Sequence, residues 1–282
     1  MSTEASGNRP PRPAAGEAWS WSGGNGAIIW QLMFSDDTVM GLKRFPQERK
    51  ASLFCLDSAT GRVLCDDFIL IAEGELAAPV GAGWMIGLET VHRGLLFCHS
   101  FQPGSPEHQG IWALDLPQGR VVWSRPDLVF TANLGDALLA YRSIVFAGFP
   151  ERDYFLLDPL TGGEIEHLGT AHERPNQLRD VAESEETRQR ILLPDLAFDE
   201  CGHVERIGLG ASSVTVHHRI EIGAEGVAGW KAALAVTEGD RLVHEENMAS
   251  GEPAPVFNSF LIKDSRLYYI KERERLVSLV VS

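Results

Sequence analysis

The sequence has no long apolar run and few cysteines. No apolar stretch approaches the ~20 residues that a membrane-spanning helix needs. None of the four cysteines, Cys55, Cys65, Cys98 and Cys201, stands in a C-x-x-C pair, so a zinc ribbon is disfavoured. Cys55 and Cys65 flank a short turn symmetrically, so they could lie opposite each other on paired strands, and a disulfide between them stays open.

Several enzyme signatures and an excess of basic charge are also missing. There is no G-x-S-x-G elbow, no P-loop and no complete G-x-G-x-x-G motif. The chain has 25 basic and 39 acidic residues, which gives a net charge of −14. Because such a field repels phosphate backbones and anionic lipid, we expect neither a nucleic-acid partner nor a membrane surface.

The first sixteen residues contain little that could fold. They lack the apolar stretch of about 7–15 residues that a secretory signal requires. We therefore predict a disordered leader over residues 1–16, a single domain over residues 17–282 and a cytoplasmic location. Residues 170–190 are polar and charged, which predicts a surface loop or short helix inserted near that point.

A hairpin unit repeats along the chain. Each copy is an apolar strand, an Asp, a short turn ending in Gly and a second apolar strand. The Asp can accept hydrogen bonds from the turn's own N–H groups, and Gly tolerates the positive φ that such turns need. Three clear copies cover Leu53–Leu64, Ile111–Trp123 and Tyr154–Ile165, and degenerate copies cover Ala233–Val243 and Leu267–Val277.

The unit resembles the hairpin of PQQ-like (quinoprotein-type) β-propeller repeats. Asp115, Gly119 and the run Arg120–Trp123 are the best match. The resemblance implies four-stranded blades, in a superfamily with many unrelated functions. The family's quinone-binding dehydrogenases are larger, exported and typically eight-bladed, and some carry an adjacent cysteine pair that this chain lacks. We therefore predict no cofactor and no bound metal.

Candidate strands upstream of each hairpin complete the blades. They cover residues 29–34 and 39–43, 84–89 and 95–100, 137–141 and 144–149, 192–198 and 214–220, and 257–262 and 267–270, with a last strand at 276–281.

The last blade has only three strands, and Glu17–Ser22 is predicted to supply the fourth. The sequence thus predicts an all-β propeller of about five four-stranded blades closed by its N-terminal strand. A six-bladed count is the alternative, because the interval from Asp158 to Thr237 is unusually long.

The beginnings of the innermost predicted strands suggest a ligand site at one mouth of the propeller channel. Two carboxylates, amides and large rings there would suit a polar ligand such as a sugar or a cation. Paired carboxylates could also act as acid and base in glycoside hydrolysis. The competing interpretation is that the aspartates cap turns and the tryptophans pack between blades. The residues concerned are Trp30, Gln31, Trp84, Asn133, Asp136, Asp195 and Asn258.

The nine histidines form no clear metal motif. His217 and His218, taken with His99 and His203, are the strongest group, but neighbours on a strand point to opposite faces. We expect each to be a satisfied or exposed side chain. The others, His108 among them, carry no functional signal. Trp112 and Trp123 are predicted to be core residues rather than an interface.

The leading functional prediction is a non-enzymatic binding or scaffold protein with a protein partner or a small polar ligand. The alternative is a hydrolase or lyase that uses carboxylates, chiefly Asp136 and Asp195, at the channel mouth.

Overall fold

The computed structural model describes residues 17–72, 77–199, 202–222 and 227–281. Within these ranges the chain forms strands almost throughout, with two short α-helices. The predicted leader lies outside the described residues, as does Cys201. Neither described helix has the length or the apolar composition that crossing a bilayer requires. A cytoplasmic location stays a prediction.

The first part of the chain forms three antiparallel four-stranded sheets, each with its strands in sequence order. A short strand, β1 (Glu17–Ser22), precedes them. The first sheet contains β2 (Ile28–Phe34), β3 (Thr38–Phe45), β4 (Lys50–Asp57) and β5 (Val63–Phe68). The second contains β6 (Ile86–His92), β7 (Leu95–Phe101), β8 (His108–Asp115) and β9 (Arg120–Arg125). The third contains β10 (Val129–Asn133), β11 (Leu138–Phe146), β12 (Phe149–Leu157) and β13 (Glu164–Gly169).

The predicted Asp–Gly hairpins form through the expected local bonds. Asp57 Oδ1 accepts the N–H of Thr60 at 2.9 Å, and Asp158 Oδ1 accepts the N–H of Thr161 at 2.9 Å. The closing glycines adopt positive φ, between 62° and 70°, at Gly61, Gly119 and Gly162. The repeat is therefore confirmed as the hairpin of the outer strands.

The polar segment after β13 contains α1 (Glu173–Asp180) and α2 (Glu185–Gln189). A two-residue strand, β14 (Ile191–Leu192), follows. The fourth sheet has five strands in sequence order: β15 (Asp195–Asp199), β16 (Gly202–Leu209), β17 (Ser212–Ile222), β18 (Ala228–Glu238) and β19 (Arg241–Glu252). This sheet and the two helices fill the long interval, and the described residues contain no sixth blade.

The fifth sheet brings the two ends of the described chain together. It contains β20 (Phe260–Lys263), β21 (Arg266–Lys271) and β22 (Arg275–Val280), with β1 beside β22 and β14 beside β20. The Trp19 ring lies 6.0 Å from the ring of Tyr268, edge to face. The prediction of five propeller-type blades, the last completed by the N-terminal strand, is confirmed.

Two strand predictions are wrong. Residues 137–141 and 144–149 are not two strands, because the chain turns at Ala147–Gly148, where both residues adopt positive φ, and β11 runs unbroken through Arg142. The innermost strand of the third blade is β10 instead. Strand β16 was missed altogether, because its exposed residues alternate with few large apolar ones.

The chain divides into two compact units. One consists of residues 21–191 with 273–276, and the other contains residues 192–272 and 277–282 with the N-terminal residues up to Ser20. Each has its own apolar core, and that of the first includes Leu53, Leu88 and Leu114. The core of the second includes Val216 and Leu234. The single-domain assignment stays a prediction.

Two smaller predictions concern cysteines and tryptophans. Cys55 and Cys65 are direct cross-strand partners, as the symmetric spacing suggested, and both are free thiols. Burial raises the pKa of Cys55 to about 12, so its thiol stays protonated and acts as a small core residue. Trp112 and Trp123 are buried, which confirms their assignment to the core.

Candidate active site

A β-bulge in β6 places Glu89 outside the regular alternation of the strand. The pairing of β6 with β7 shifts between Leu88 and Thr90, so Glu89 has no partner directly opposite. The N–H of Leu88 donates to Gln31 Oε1 at 3.1 Å, a side-chain bond from the neighbouring blade. A bulge redirects one side chain of a strand, and here that side chain is a carboxylate.

Two histidines from adjacent strands contact the Glu89 carboxylate. Glu89 Oε1 lies 2.7 Å from His108 Nδ1 and 2.8 Å from His99 Nδ1. The two imidazoles stack face to face, with centroids 3.5 Å apart and planes 8° apart. Phe101 packs its edge against both rings. Below His99, a Cβ on Gly87 would lie 2.6 Å from the ring, so the absence of a side chain there makes room for the imidazole.

The side chains of Glu89, His99 and His108 differ in how far they are exposed to solvent. Those of Glu89 and His99 are 9% and 3% exposed, whereas that of His108 is 37% exposed. Burial alone would raise the pKa of Glu89, but the hydrogen bond from His108 and the close contact with His99 hold it below its usual value. The same bond to Glu89 raises the pKa of His108, against the smaller opposing effect of burial. With Nδ1 bonded to Glu89, Nε2 is the nitrogen of His108 left for other chemistry.

The stacked rings do not suit a metal ion. The ligating atoms of Glu89, His99 and His108 lie within 4.8 Å of one another, close enough in distance for shared coordination. A metal bonds along the lone pair in the imidazole plane at about 2.0–2.1 Å. An ion between parallel rings 3.5 Å apart would stand about 1.75 Å, half that separation, out of each plane. The arrangement fits a carboxylate that orients an imidazole better.

A cavity of about 300 Å³ opens beside His108. His108 belongs to β8, and the opposite parts of the lining come from β10, β11, β12 and α1. Thr131 contributes a buried Oγ1 that has no hydrogen-bond partner among the described residues. The lining residues that carry polar side chains are Glu107, His108, Thr131, Tyr141, Arg152 and Arg179.

Three of the residues predicted to bind a ligand lie near one another in the first compact unit. The guanidinium of Arg44 stacks between two tryptophan rings, 4.7 Å from Trp30 and 5.3 Å from Trp84. Trp30 is 57% exposed. Gln31 is engaged in the bond to Leu88 described above. A role for these residues in ligand binding stays a prediction.

The other four predicted residues have separate surroundings. Asn133 is buried and donates to Thr90 Oγ1 at 2.8 Å, and Asp136 is exposed in the turn after β10. Asp195 is exposed on β15, and the N–H of Asn258 donates to Glu205 Oε1 at 2.5 Å; both belong to the other compact unit. Their role in a site also stays a prediction.

Sequence reasoning missed the cluster around Glu89. It grouped His99 with His203, His217 and His218, and it assigned no signal to His108. The structure places His99 against His108, at the end of one strand and the start of the next. The predicted neighbouring strands 84–89 and 95–100 already carried Glu89 and His99, but the bulge that brings them together has no local sequence signal.

The second compact unit holds another buried carboxylate–histidine pair. His218 Nε2 lies 2.9 Å from Glu205 Oε2, and both side chains are at most 2% exposed. Glu205 also accepts the N–H of Asn258 and both the N–H and the Oγ–H of Ser259. His217 faces the other side of the sheet and lines a different cavity, as the alternation predicted.

Comparison with family models and with curated proteins found no match for the chain. No family model matches it, so membership of the PQQ-like family is not confirmed. No curated protein matches it either.

Solved structures give distant likenesses only. A chain described with the GH130 family of mannoside phosphorylases and glycoside hydrolases has 10% identity and a TM-score of 0.34, covering 90% of this chain and 84% of its own. A candidate glycoside hydrolase from Bacteroides ovatus has 10% identity and a TM-score of 0.35, covering 99% and 95%. An acylaminoacyl peptidase from Pyrococcus horikoshii has 12% identity and a TM-score of 0.30, covering 87% and 36%.

These comparisons correct the leading functional prediction. The chains compared above are described mainly as glycoside hydrolases and phosphorylases, which are enzymes, and the prediction of a non-enzymatic scaffold is therefore withdrawn. Likenesses at these TM-scores carry no argument about the reaction or its substrate. The activity is therefore argued from the site alone.

Proposed function

We propose that this chain is a hydrolase whose general base is His108, positioned by Glu89, in the cavity between β8 and β10. The observation that carries the proposal is the bond from His108 Nδ1 to Glu89 Oε1 at 2.7 Å, on a ring that also lines the cavity. A buried carboxylate that fixes the tautomer and orientation of a partly exposed histidine is the arrangement general base catalysis requires.

The proposed reaction uses one water molecule. His108 Nε2 takes a proton from the water as the water oxygen bonds to the electrophilic atom of the substrate. The bond from that atom to the leaving oxygen then breaks, and the proton passes from Nε2 to the leaving oxygen. Glu89 remains ionised and stabilises the imidazolium in between. General base catalysis of this kind contributes about 10²–10⁴-fold to the rate.

This proposal moves the hydrolytic site away from the predicted channel-mouth carboxylates. Asp136 is exposed in a turn, whereas Glu89 is buried against a histidine. His99 stacks beneath His108 and holds its ring plane, so we assign His99 a positioning role.

The test is a set of p-nitrophenyl substrates, comprising acetate, phosphate and glycoside derivatives, assayed with the wild-type chain and two variants. His108→Gln removes the base. His167→Gln is the matched control, because His167 Nε2 also bonds a carboxylate, Asp153 Oδ1 at 2.6 Å, without lining the cavity. We expect turnover of at least one substrate, lowered about 10²–10⁴-fold in His108→Gln and unchanged in His167→Gln. No turnover by the wild type, or equal turnover by both variants, would overturn the proposal.

A further inference from the structure

The cavity beside His108 contains two arginines that have no carboxylate of the described residues within ion-pair distance. Arg152 stands on β12 and Arg179 on α1, and both line the cavity. Neither forms an ion pair with a described residue, whereas Arg174, on the same helix as Arg179, pairs with Glu166. In a chain with a net charge of −14, two unpaired arginines at one cavity concentrate positive charge where the rest of the molecule has little.

The contacts of Arg152 hold its guanidinium in place without neutralising it. Its Cζ lies 4.5 Å from the centre of the Tyr141 ring, a cation–π contact. The Tyr154 hydroxyl adjoins the guanidinium and helps to raise the pKa of Arg152 above its usual value. The N–H groups not used in these contacts remain available as donors. A stacked guanidinium of this kind binds planar or tetrahedral oxyanions with little loss of side-chain freedom.

Two further groups complete the lining on the same side. Arg179 donates to Asn176 Oδ1 at 3.3 Å, a neutral partner that leaves its charge uncompensated. Thr131 Oγ1 is buried without a partner, and a buried hydroxyl of this kind normally finds one. An oxyanion in the cavity would supply the missing acceptor. Glu107, exposed at the rim, is the opposing charge.

We propose that Arg152 and Arg179 form an anion subsite that binds the phosphate or carboxylate group of the substrate hydrolysed at His108. The inference rests on the proposed function for the identity of the ligand as a substrate, but the binding of the anion is independent of turnover. Arginine suits both oxyanions because its fork of N–H donors matches two oxygens at once.

The experiment measures anion binding by isothermal titration calorimetry, with inorganic phosphate in one arm and acetate in the other. The variants are the Arg152→Gln, Arg179→Gln double substitution and the control Arg174→Gln. We expect the preferred anion to bind the wild type and Arg174→Gln equally, and the double variant more weakly by on the order of a hundredfold, since each charge-assisted bond is worth roughly tenfold. The anion that binds the wild type more tightly shows whether the subsite recognises a phosphate or a carboxylate group.

The variant Glu107→Gln tests anion binding at the subsite without removing an arginine. It should tighten anion binding, because it deletes the one carboxylate in the lining. No binding of either anion by the wild type, or equal loss in Arg174→Gln and the double variant, would overturn the subsite.

The variant His108→Gln separates the two proposals. If it retains anion binding and loses turnover, both stand. If it retains both, the hydrolase mechanism fails and the subsite stands.

Discussion

Glu89 and Glu205 are two buried glutamates that each bond a histidine, yet their surroundings differ. Glu205 accepts four donors through its two oxygens, and its histidine is enclosed. Among the residues that the structure describes, the partners of Glu89 are two histidines, and one of them lines a cavity. A glutamate–histidine pair stabilises the fold when backbone N–H and hydroxyl donors also bond the carboxylate, as they do at Glu205. It supports proton transfer when the histidine lines a cavity and only one of its ring nitrogens is bonded to the carboxylate.

The largest effect should follow from removing the saturated carboxylate. Glu205→Ala leaves His218 and the N–H groups of Asn258 and Ser259 without their acceptor in a buried site. Breaking such an arrangement costs about 3–5 kcal/mol, equivalent to a fall in Tm of roughly 10 °C for a chain of this size. Differential scanning calorimetry would measure it. A Tm within about 2 °C of the wild type would show that the two glutamates do not differ as we describe.

Glu89→Gln should affect activity more than stability. Gln keeps an oxygen that can accept from His108 Nδ1 but lacks the charge that raises the pKa of His108. Hydrolysis requires the neutral imidazole, so its rate rises with pH through that pKa. We expect the profile to shift to lower pH and the maximal rate to fall about 10–10²-fold. A pH–rate profile of kcat/KM checks both, and an unshifted profile would exclude His108 as the titrating base.

Gly87→Ala should disturb the ring stack without touching the carboxylate. The new Cβ would lie 2.6 Å from His99 Cε1 and Nε2, so the imidazole must move. Overpacking of this kind costs about 1–3 kcal/mol, and turnover should fall with it. Gly208→Ala on β16 is the control, since nothing lies within 4 Å of its added Cβ. Equal urea midpoints for the two variants would mean that His99 is free to move.

The smallest expected effect is on the pH dependence of folding stability in acid. The pKa of Glu89 and that of Glu205 are both lowered in the folded chain, because the contacts with histidine, together with the bonds from Ser259 at Glu205, outweigh the effect of burial. A lowered folded pKa gives stability that is present above the unfolded value of about 4.3 and is lost as pH falls through the folded value. Glu205→Gln should therefore lose less stability than the wild type between pH 6 and pH 3. Urea titrations at the two pH values would test this, and parallel losses would contradict it.

Sequence patterns predicted those features that are encoded locally. The turns at Asp57 and Asp158 form because an aspartate oxygen reaches N–H groups two and three residues on, which any reader of the sequence can anticipate. The pairing of the N-terminal strand was also predictable, since the last blade visibly lacked a strand. These signals sufficed for the all-β class and the five blades.

The candidate site depends on contacts distant in sequence. The bulge at Glu89 is supported by the bond from the Leu88 N–H to Gln31, 57 residues away. No sequence pattern near Glu89 predicts this bulge. The role proposed for His108 depends on its bond to Glu89, which lies 19 residues earlier in the sequence. It also depends on a cavity that four other elements help to line. In the third blade, the apolar pattern around Arg142 suggested a break, but cross-strand pairing with Asp153 carries β11 through that point.

The pairing of β1 with β22 has a consequence for how the chain is made. β1 leaves the ribosome before the other described strands, but its partner β22 follows only about 250 residues later, which at about 5–20 residues per second is a delay of roughly 13–50 s. During that interval Trp19, which is buried in the finished protein, lacks the Tyr268 ring against which it packs. The nascent chain therefore carries an unpaired apolar segment until β22 has emerged, and a trigger-factor-type or Hsp70-type chaperone is the kind of helper such a segment attracts.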